Sequence, residues 1–388
     1  MTPPQAGAFA FTFGLEEEFF LAHPKSRALA TSVPRSLLRA CRRRFGEAVA
    51  PELLRSQVEL VSPVFRAHDE ALDAMTRLRR GVAEIAIDKD LRLFASGTPP
   101  IAAWGEQSET PKTRYRGLMD DFQIVGRRNV LCGLHVHVAV PAGTDRVQLM
   151  NRAMPWLPMF LALSASSPIW NRAPTGLASY RQAAYDEWPR TGIPDHFRDE
   201  AEYARFVELL VAGGAVKDAS MLWWAIRPAL RYPTLELRIC DACTRVDDAV
   251  AIASLYRCLL RLLVRRPDVG AAWTPHTRRL IDENRWRAKR FGLDAQFLSL
   301  DGRPPQPCRA VVLALLDHVA DDAAALDCTR ALGRVRALLD EGNSASVQMA
   351  LFERRRAQGD SVNQAMQYVV DWLVATTYAT SAPGRSSA

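Results

Sequence analysis

The sequence predicts an α+β protein built on an antiparallel sheet, and two observations lead there. Strand-like segments with helical insertions run up to about residue 240, and helical patterns fill the chain from there to residue 375. Counting also removes the glycine-rich phosphate loops. Of 50 basic residues only Lys25, Lys89, Lys112, Lys217 and Lys289 are lysines, and none follows a glycine, so GxxxxGK[ST] cannot occur. No two of the 21 glycines stand two apart, which removes GxGxxG as well. A nucleotide would have to be held by arginines or metal ions.

Taken in order, residues 9–22 are rich in Phe and Leu and read as a long strand carrying Glu16, Glu17 and Glu18. Residues 34–45 read as a helix with Pro34 in its first turn. A second strand alternates over 57–65, and 68–88 places Leu72, Met75, Leu78, Val82 and Ile85 at helical spacing. A third strand, 91–96, ends at the turn cluster Gly97-Thr98-Pro99-Pro100. Residues 114–128 are expected to be helical, and 130–140 form a β-branched strand closed by Pro141-Ala142-Gly143. The nearly continuous apolar run over 144–166 predicts one buried helix despite Pro155 and Pro158. Residues 167–194 hold Pro168, Pro174, Pro189 and Pro194 and read as a long loop of the kind that carries function. Strands at 220–226 and 234–239 precede helices from about 246. With no repeat and no linker, residues 1–380 are expected to be a single catalytic domain, and the small polar tail 381–388 to be disordered.

Composition narrows the partners. A chain that is 48% hydrophobic and 24% charged is of ordinary soluble globular type. Its net charge of +7 is spread along the sequence, and the runs Arg42 to Arg44 and Arg354 to Arg356 read as solvated helix faces, so no nucleic acid is expected. The apolar run 157–165 falls short of the ~20 residues that cross a bilayer, and no secretory segment precedes the first strand; no membrane partner and a cytoplasmic location follow as expectations. Cys240 and Cys243 have no second ligand pair nearby, which argues against zinc or redox use. Ser164, Ser166 and Ser167 sit in no GxSxG motif, so a nucleophile triad is not indicated.

Three strand pairs remain. Residues two apart on a strand share a face, so Glu16 and Glu18 point one way and Glu17 the other. Adjacent carboxylates in an apolar strand repel and lose hydration, which either a solvated edge or a bound cation would relieve. His135 and His137 repeat the pattern within an apolar strand, as satisfied core residues or as metal ligands. Glu236 and Arg238 form the third pair, an ion pair or a metal carboxylate beside a phosphate-binding guanidinium. Glu52 and Glu59 add acid near the second strand. Five carboxylates with imidazole make a hard donor set that suits Mg²⁺ or Mn²⁺ better than Zn²⁺.

In this order, Gly14-Leu15-Glu16-Glu17-Glu18, Ser56-Gln57-Val58-Glu59, Gly133-Leu134-His135-Val136-His137-Val138, Leu163-Ser164-Ala165-Ser166-Ser167-Pro168, Ile226-Arg227-Pro228, Thr234-Leu235-Glu236-Leu237-Arg238 and Glu283-Asn284-Arg285-Trp286-Arg287-Ala288 resemble the carboxylate-amine ligases related to bacterial glutamate-cysteine ligase. The resemblance implies the glutamine-synthetase-like catalytic fold, a curved antiparallel sheet with helices on its outer face. It implies ATP with Mg²⁺ (or Mn²⁺), an acyl-phosphate intermediate, carboxylate and amine substrates of the amino-acid class, and a homo-oligomer. By the same resemblance Glu16, His135 and Glu236 would hold one ion, and Glu18, Glu52 and Glu59 the other. Arg238 would hold the transferring phosphoryl group, Arg227 phosphate or the acid, and Arg181 the substrate loop, with His137 and Arg285 on the nucleotide side. Ala225 stands where relatives often carry an acid and Ala139 where glycine is frequent, so the acid and amine are left open. Two other readings are a metal-dependent amidohydrolase-type hydrolase, suggested by HxH on a strand, and a non-catalytic nucleotide-binding homologue.

Overall fold

The computed structural model describes residues 10–102, 105, 107–110 and 113–379, so the tail 381–388 lies outside the described residues. The first two thirds carry β1 (Phe13–Ala22), α1 (Arg35–Phe45), β2 (Val49–Pro51), β3 (Gln57–Val61), α2 (His68–Ile87), β4 (Arg92–Phe94), α3 (Thr113–Arg127), β5 (Gly133–Ala139), α4 (Arg146–Ala153), α5 (Leu157–Ser164), the ladder β6 (Ile169–Trp170) with β7 (Ala173–Pro174), α6 (Tyr180–Tyr185), α7 (Glu200–Ala212), β8 (Ile226–Pro228) and β9 (Thr234–Asp241). Helices then dominate: α8 (Val246–Arg265), α9 (Thr277–Phe291), the small ladder β10 (Gln296–Phe297) with β11 (Gln306–Pro307), α10 (Cys308–His318), α11 (Ala320–Ala325), α12 (Thr329–Glu341), α13 (Ser344–Ala357) and α14 (Val362–Thr377). No helix among the described residues is long and apolar enough to cross a membrane.

The α+β class is borne out by a seven-stranded sheet in the order β2-β3-β1-β5-β9-β8, with β4 paired to β1 and every pairing antiparallel. Alternation sorts its two faces. Leu15, Leu134, Val136, Val138, Leu235 and Leu237 are fully buried in a core shared with α5 and α8. Glu16, Glu18, His135 and Arg238 project from the other face into a cavity. Glu17 takes the apolar side, as its parity demands, and is matched there by Arg79 of α2. Arg79 Nε donates to Glu17 Oε2 at 2.9 Å, its Nη2 donates to Glu17 Oε1, and its other N–H groups reach the carbonyls of Cys243, Thr244 and Thr377. A fully buried charge pair survives because every donor finds an oxygen.

Several boundaries differ from expectation for reasons the chain supplies. The helix expected over 144–166 is divided into α4, a 3-10 turn at Met154–Trp156 and α5, because Pro155 and Pro158 cannot donate the bonds a continuous helix needs. The expected loop 167–194 contains β6, β7 and α6. The strand expected at 220–226 is a 3-10 turn at Ala219–Met221, and β8 begins only at Ile226. In the pairing of β5 with β9 the register slips, so that Arg238 and Ile239 together oppose His135. Such a bulge re-aims side chains, and it falls at the site.

Candidate active site

The front face of the sheet is assembled by register. Glu16 on β1 lies opposite His135 on β5, His137 lies opposite Glu236 on β9, and Glu236 lies opposite Arg227 on β8. Glu16 is thereby set between two imidazoles. His135 Nδ1 is 3.4 Å from its Oε2, and His137 Nε2 is 3.4 Å from its Oε1. Burial alone would raise the Glu16 carboxyl, but the two histidines outweigh it and hold the group well below the usual carboxylate range. Burial, aided by Arg238, pushes His135 down to about 4 against the pull of Glu16, so this imidazole is neutral at pH 7 and able to ligate.

Resemblance gave the imidazole position of the first ion to His135. In the structure the imidazole in reach of both carboxylates is His137: ligand atoms of Glu16, His137 and Glu236 lie within 4.8 Å of one another. His137 Nε2 is 3.8 Å from Glu236 Oε1, and its Nδ1 is fixed by Thr234 Oγ1 at 3.1 Å. Nε2 is buried and makes no hydrogen bond despite two carboxylate oxygens nearby. Two carboxylates and an unbonded ring nitrogen around one point fit a divalent cation of the Mg²⁺ or Mn²⁺ type.

Glu18 heads the second acidic group. It pairs directly with Glu59 of β3, and Glu52, just past the short edge strand β2, lines the same cavity. Gly133 N–H donates to Glu18 Oε2 at 2.6 Å. Burial and the charge of Glu52 raise the Glu18 carboxyl to about 7, against the pull of Arg181, Gly133 and Arg238. A proton or a bound cation relieves the repulsion within such a cluster.

Three arginines face these acids. Burial would raise Glu236, but Arg238 and Arg227 hold it well below the carboxylate range. Arg227 commits Nε to Glu236 Oε2 at 2.7 Å and Nη1 to the carbonyls of Ser220 and Leu222, both at 2.9 Å. Arg238 lines the cavity and donates from Nη1 to Glu236, while its Nε is buried without a hydrogen-bond partner. Arg181 enters from α6, donating to the Cys240 carbonyl at 3.0 Å with Asp241 3.9 Å away. Arg285 is not among the lining residues. It lies on α9, bonded to Asp186 at 2.7 Å and to Asp282 at 2.9 Å, and reaches the site only through Asp186, which follows α6.

Sequence reading missed two features. The first is Asp241, which is fully buried and accepts from Ser166 N–H, Ser167 Oγ and Ser179 Oγ at 3.0, 2.7 and 2.8 Å. The serines of the Leu163 to Pro168 motif are thus anchors that tie the α5 turn and α6 to β9. Cys240 and Cys243 are free, buried thiols, and burial pushes Cys240 up to about 12. The second is the apolar and aromatic part of the cavity lining, formed by Leu53, Leu118, Tyr185, Trp188 and Trp223. Those residues sit in loops and short helices whose only signal was aromatic content.

Two cavities meet at Glu16. One, about 270 Å³, contains the acids, His135, the three arginines and the aromatic wall. The other, about 440 Å³, is mostly apolar, with Val61, Val64, Tyr232 and Pro233 around His137 and Thr234. The HxH strand lies in mid-sheet between β1 and β9, which does not suit a hydrolase barrel whose HxH strand comes first.

The sequence profile of glutamate-cysteine ligase family 2 matches residues 12–367. A protein of Ectopseudomonas mendocina, provisionally named glutamate-cysteine ligase 2, is 44% identical over 94% of this chain and 97% of its own length. One of Rhodospirillum rubrum with the same provisional name is 43% identical over 95% and 96%. Among solved structures, glutamate-cysteine ligase of Francisella tularensis in complex with AMP shares the fold at TM-score 0.70 and 12% identity, over 97% of this chain and 90% of that one. The bifunctional glutathione synthetase of Pasteurella multocida shares it at TM-score 0.68 and 15% identity, over 95% of this chain and 53% of that one. A family profile spanning nearly the whole chain, and relatives this similar along their full length, place the protein: it belongs to glutamate-cysteine ligase family 2.

Proposed function

We propose that this chain is an ATP-dependent, ADP-forming carboxylate-amine ligase of glutamate-cysteine ligase type, acting on amino-acid substrates. The observation that carries the reading is Glu16, shared by two imidazoles and standing at the junction of an apolar cavity and a charged one. The apolar cavity beside Tyr232 and Pro233 takes the nucleotide base, so that the phosphates run past His137 toward Arg238. Mg²⁺ or Mn²⁺, held by Glu16, Glu236 and an imidazole of the pair and by Glu18, Glu52 and Glu59, supplies charge neutralisation to the phosphate oxygens. Arg238, which lines the charged cavity, offers its guanidinium to the transferring phosphoryl group. Arg227, saturated by Glu236 and two carbonyls, keeps Glu236 aimed; Arg181 meets the acid; Arg285 braces α6 through Asp186.

An oxygen of the acid attacks the γ-phosphorus as the bond to the ADP oxygen breaks, giving an acyl phosphate. The amine nitrogen then attacks the acyl carbon, phosphate leaves, and loss of a proton from nitrogen completes the amide. The test is ADP release and amide mass with ATP, Mg²⁺, L-glutamate and a set of amines. Glu16→Gln and Arg238→Ala are each expected to lower kcat by about 10² or more. Near-normal turnover in either variant, or amide hydrolysis without ATP, overturns the proposal.

A further inference from the structure

Asp241 ends β9 as a fully buried carboxylate that no step of the proposed reaction uses. Ser166 N–H and the Ser167 hydroxyl donate to its Oδ2 at 3.0 and 2.7 Å, and the Ser179 hydroxyl to its Oδ1 at 2.8 Å. Gly97 packs so closely that a Cβ there would fall 2.8 Å from Asp241 Cγ, which leaves the group no room to turn. Two routes lead from it to residue 181. Arg181 N–H donates at 3.0 Å to Ser167 Oγ, which donates in turn to Asp241, and Arg181 Nη1 stands 3.9 Å from Asp241 Oδ1 as its counter-charge. The guanidinium occupies a slot: Nη1 also donates to the Cys240 carbonyl at 3.0 Å, the centre of the Tyr185 ring is 5.4 Å from Cζ, and a Cβ on Gly133 would fall 2.3 Å from Nη2. From this slot Arg181 lines the charged cavity together with Glu18 and Glu52.

Resting on the ligase reading above, in which Arg181 meets the acid, we infer that Asp241 is the positioning residue for Arg181: it fixes the guanidinium at the cavity lining against the pull of Glu18 and Glu52, so that the substrate carboxylate finds it in place. A long, flexible cation beside two acids would otherwise pair with them, and a ligand would have to bear the cost of reordering it. Asparagine at 241 separates this role from the scaffold. Ser166 N–H can only donate, so the amide oxygen must take the side of Ser166 and Ser167, and Nδ2 the side of Ser179 and Arg181. Ser179 Oγ can accept from Nδ2, which keeps all three bonds, while Arg181 meets an N–H where it had met a charged oxygen.

The full chain is assayed with ATP, Mg²⁺, L-glutamate and the amine it uses best, following ADP and amide mass. Asp241→Asn is expected to raise the KM for L-glutamate roughly tenfold, with kcat and the KM for ATP changed less than about threefold. Arg181→Ala is expected to raise the same KM, and Asp241→Asn to add nothing in that background, because the effect of Asp241 runs through Arg181. Should Asp241→Asn not fold, Ser167→Ala cuts the backbone route alone and is expected to raise the KM for L-glutamate about threefold. An unchanged KM for L-glutamate, an equal rise in the KM for ATP, or full additivity with Arg181→Ala overturns this inference and leaves the ligase reading standing. If no amide forms with any amine, the ligase reading fails, and exchange of the arginine Nε–H protons, followed by ¹⁵N–¹H NMR with Arg181 assigned through Arg181→Lys, judges the positioning by itself. Exchange at Arg181 about tenfold faster in Asp241→Asn than in the parent sustains it, and equal rates overturn it.

Discussion

Glu16, Glu17 and Glu18 are consecutive in the chain and meet three different environments. Glu17 is neutralised beneath the sheet by Arg79, Glu16 is held ionised between two imidazoles, and Glu18 is crowded by Glu52 and Glu59. Glu18 has a raised pKa, from an ordinary 4.5 to about 7, through burial and the charge of Glu52. Between those values the folded chain holds a proton that the unfolded chain has released. Raising pH across the interval therefore weakens the folded state, and the whole cost is present above 7. In a chelating buffer, Glu18→Gln is expected to melt at a higher temperature than the parent at pH 8, with the gain shrinking toward zero as pH falls to 4.5. His135 adds a loss of stability between about 6.5 and 4, since its pKa is depressed by burial and Arg238, but both proteins share it and the difference cancels. Equal melting temperatures at pH 8, or a gain that grows on acidification, would contradict this account.

At the scale of elements, what the sequence made legible was local. The i, i+2 spacing on β1, β5 and β9 identified Glu16 with Glu18, His135 with His137, and Glu236 with Arg238, because strand parity needs no knowledge of partners. What stayed hidden depends on long-range register. That His137 meets both carboxylates follows from the pairing of His137 with Glu236 across β5 and β9, and no local pattern gives that register or announces the slip at Arg238 and Ile239. The Asp241 anchor and the Trp188–Trp223 wall were hidden likewise, since each is assembled from segments far apart in the chain. Gly133 shows a motif residue whose reason only the fold supplies: a Cβ there would fall 2.3 Å from Arg181 Nη2. Gly133→Ala is accordingly expected to push Arg181 out of place while Asp241 still anchors α6. Displacements on the order of 1 Å near reacting groups cost about 10² in rate, so kcat/KM should fall by that order with near-UV circular dichroism preserved. Full activity in this variant would mean that Arg181 does not act in the site.

For the whole molecule, the ligase reading makes the balance of charge around the two cavities the condition for nucleotide entry. Glu16, Glu18, Glu52, Glu59 and Glu236 face Arg181, Arg227 and Arg238, and two of those guanidiniums are already bound to Glu236. The net field where phosphates would lie is negative, despite an overall charge of +7. Excess positive charge elsewhere on the surface does not compensate, because water and salt screen it within about 8–10 Å. On the proposed reading a polyphosphate would meet like charge here until divalent cations occupied the carboxylates, whereas the apolar cavity beside Tyr232 would offer its base a site in either condition. ATP in the presence of a chelator is therefore expected to raise the melting temperature little, and ATP with Mg²⁺ or Mn²⁺ to raise it by the equivalent of about 2.7 kcal/mol at a hundredfold excess over Kd. Adenosine, which lacks the phosphates, should give a small shift that does not depend on the metal. If ATP stabilised the protein equally with and without the cation, the arginines alone would suffice to hold the phosphates, and the five carboxylates would need another explanation.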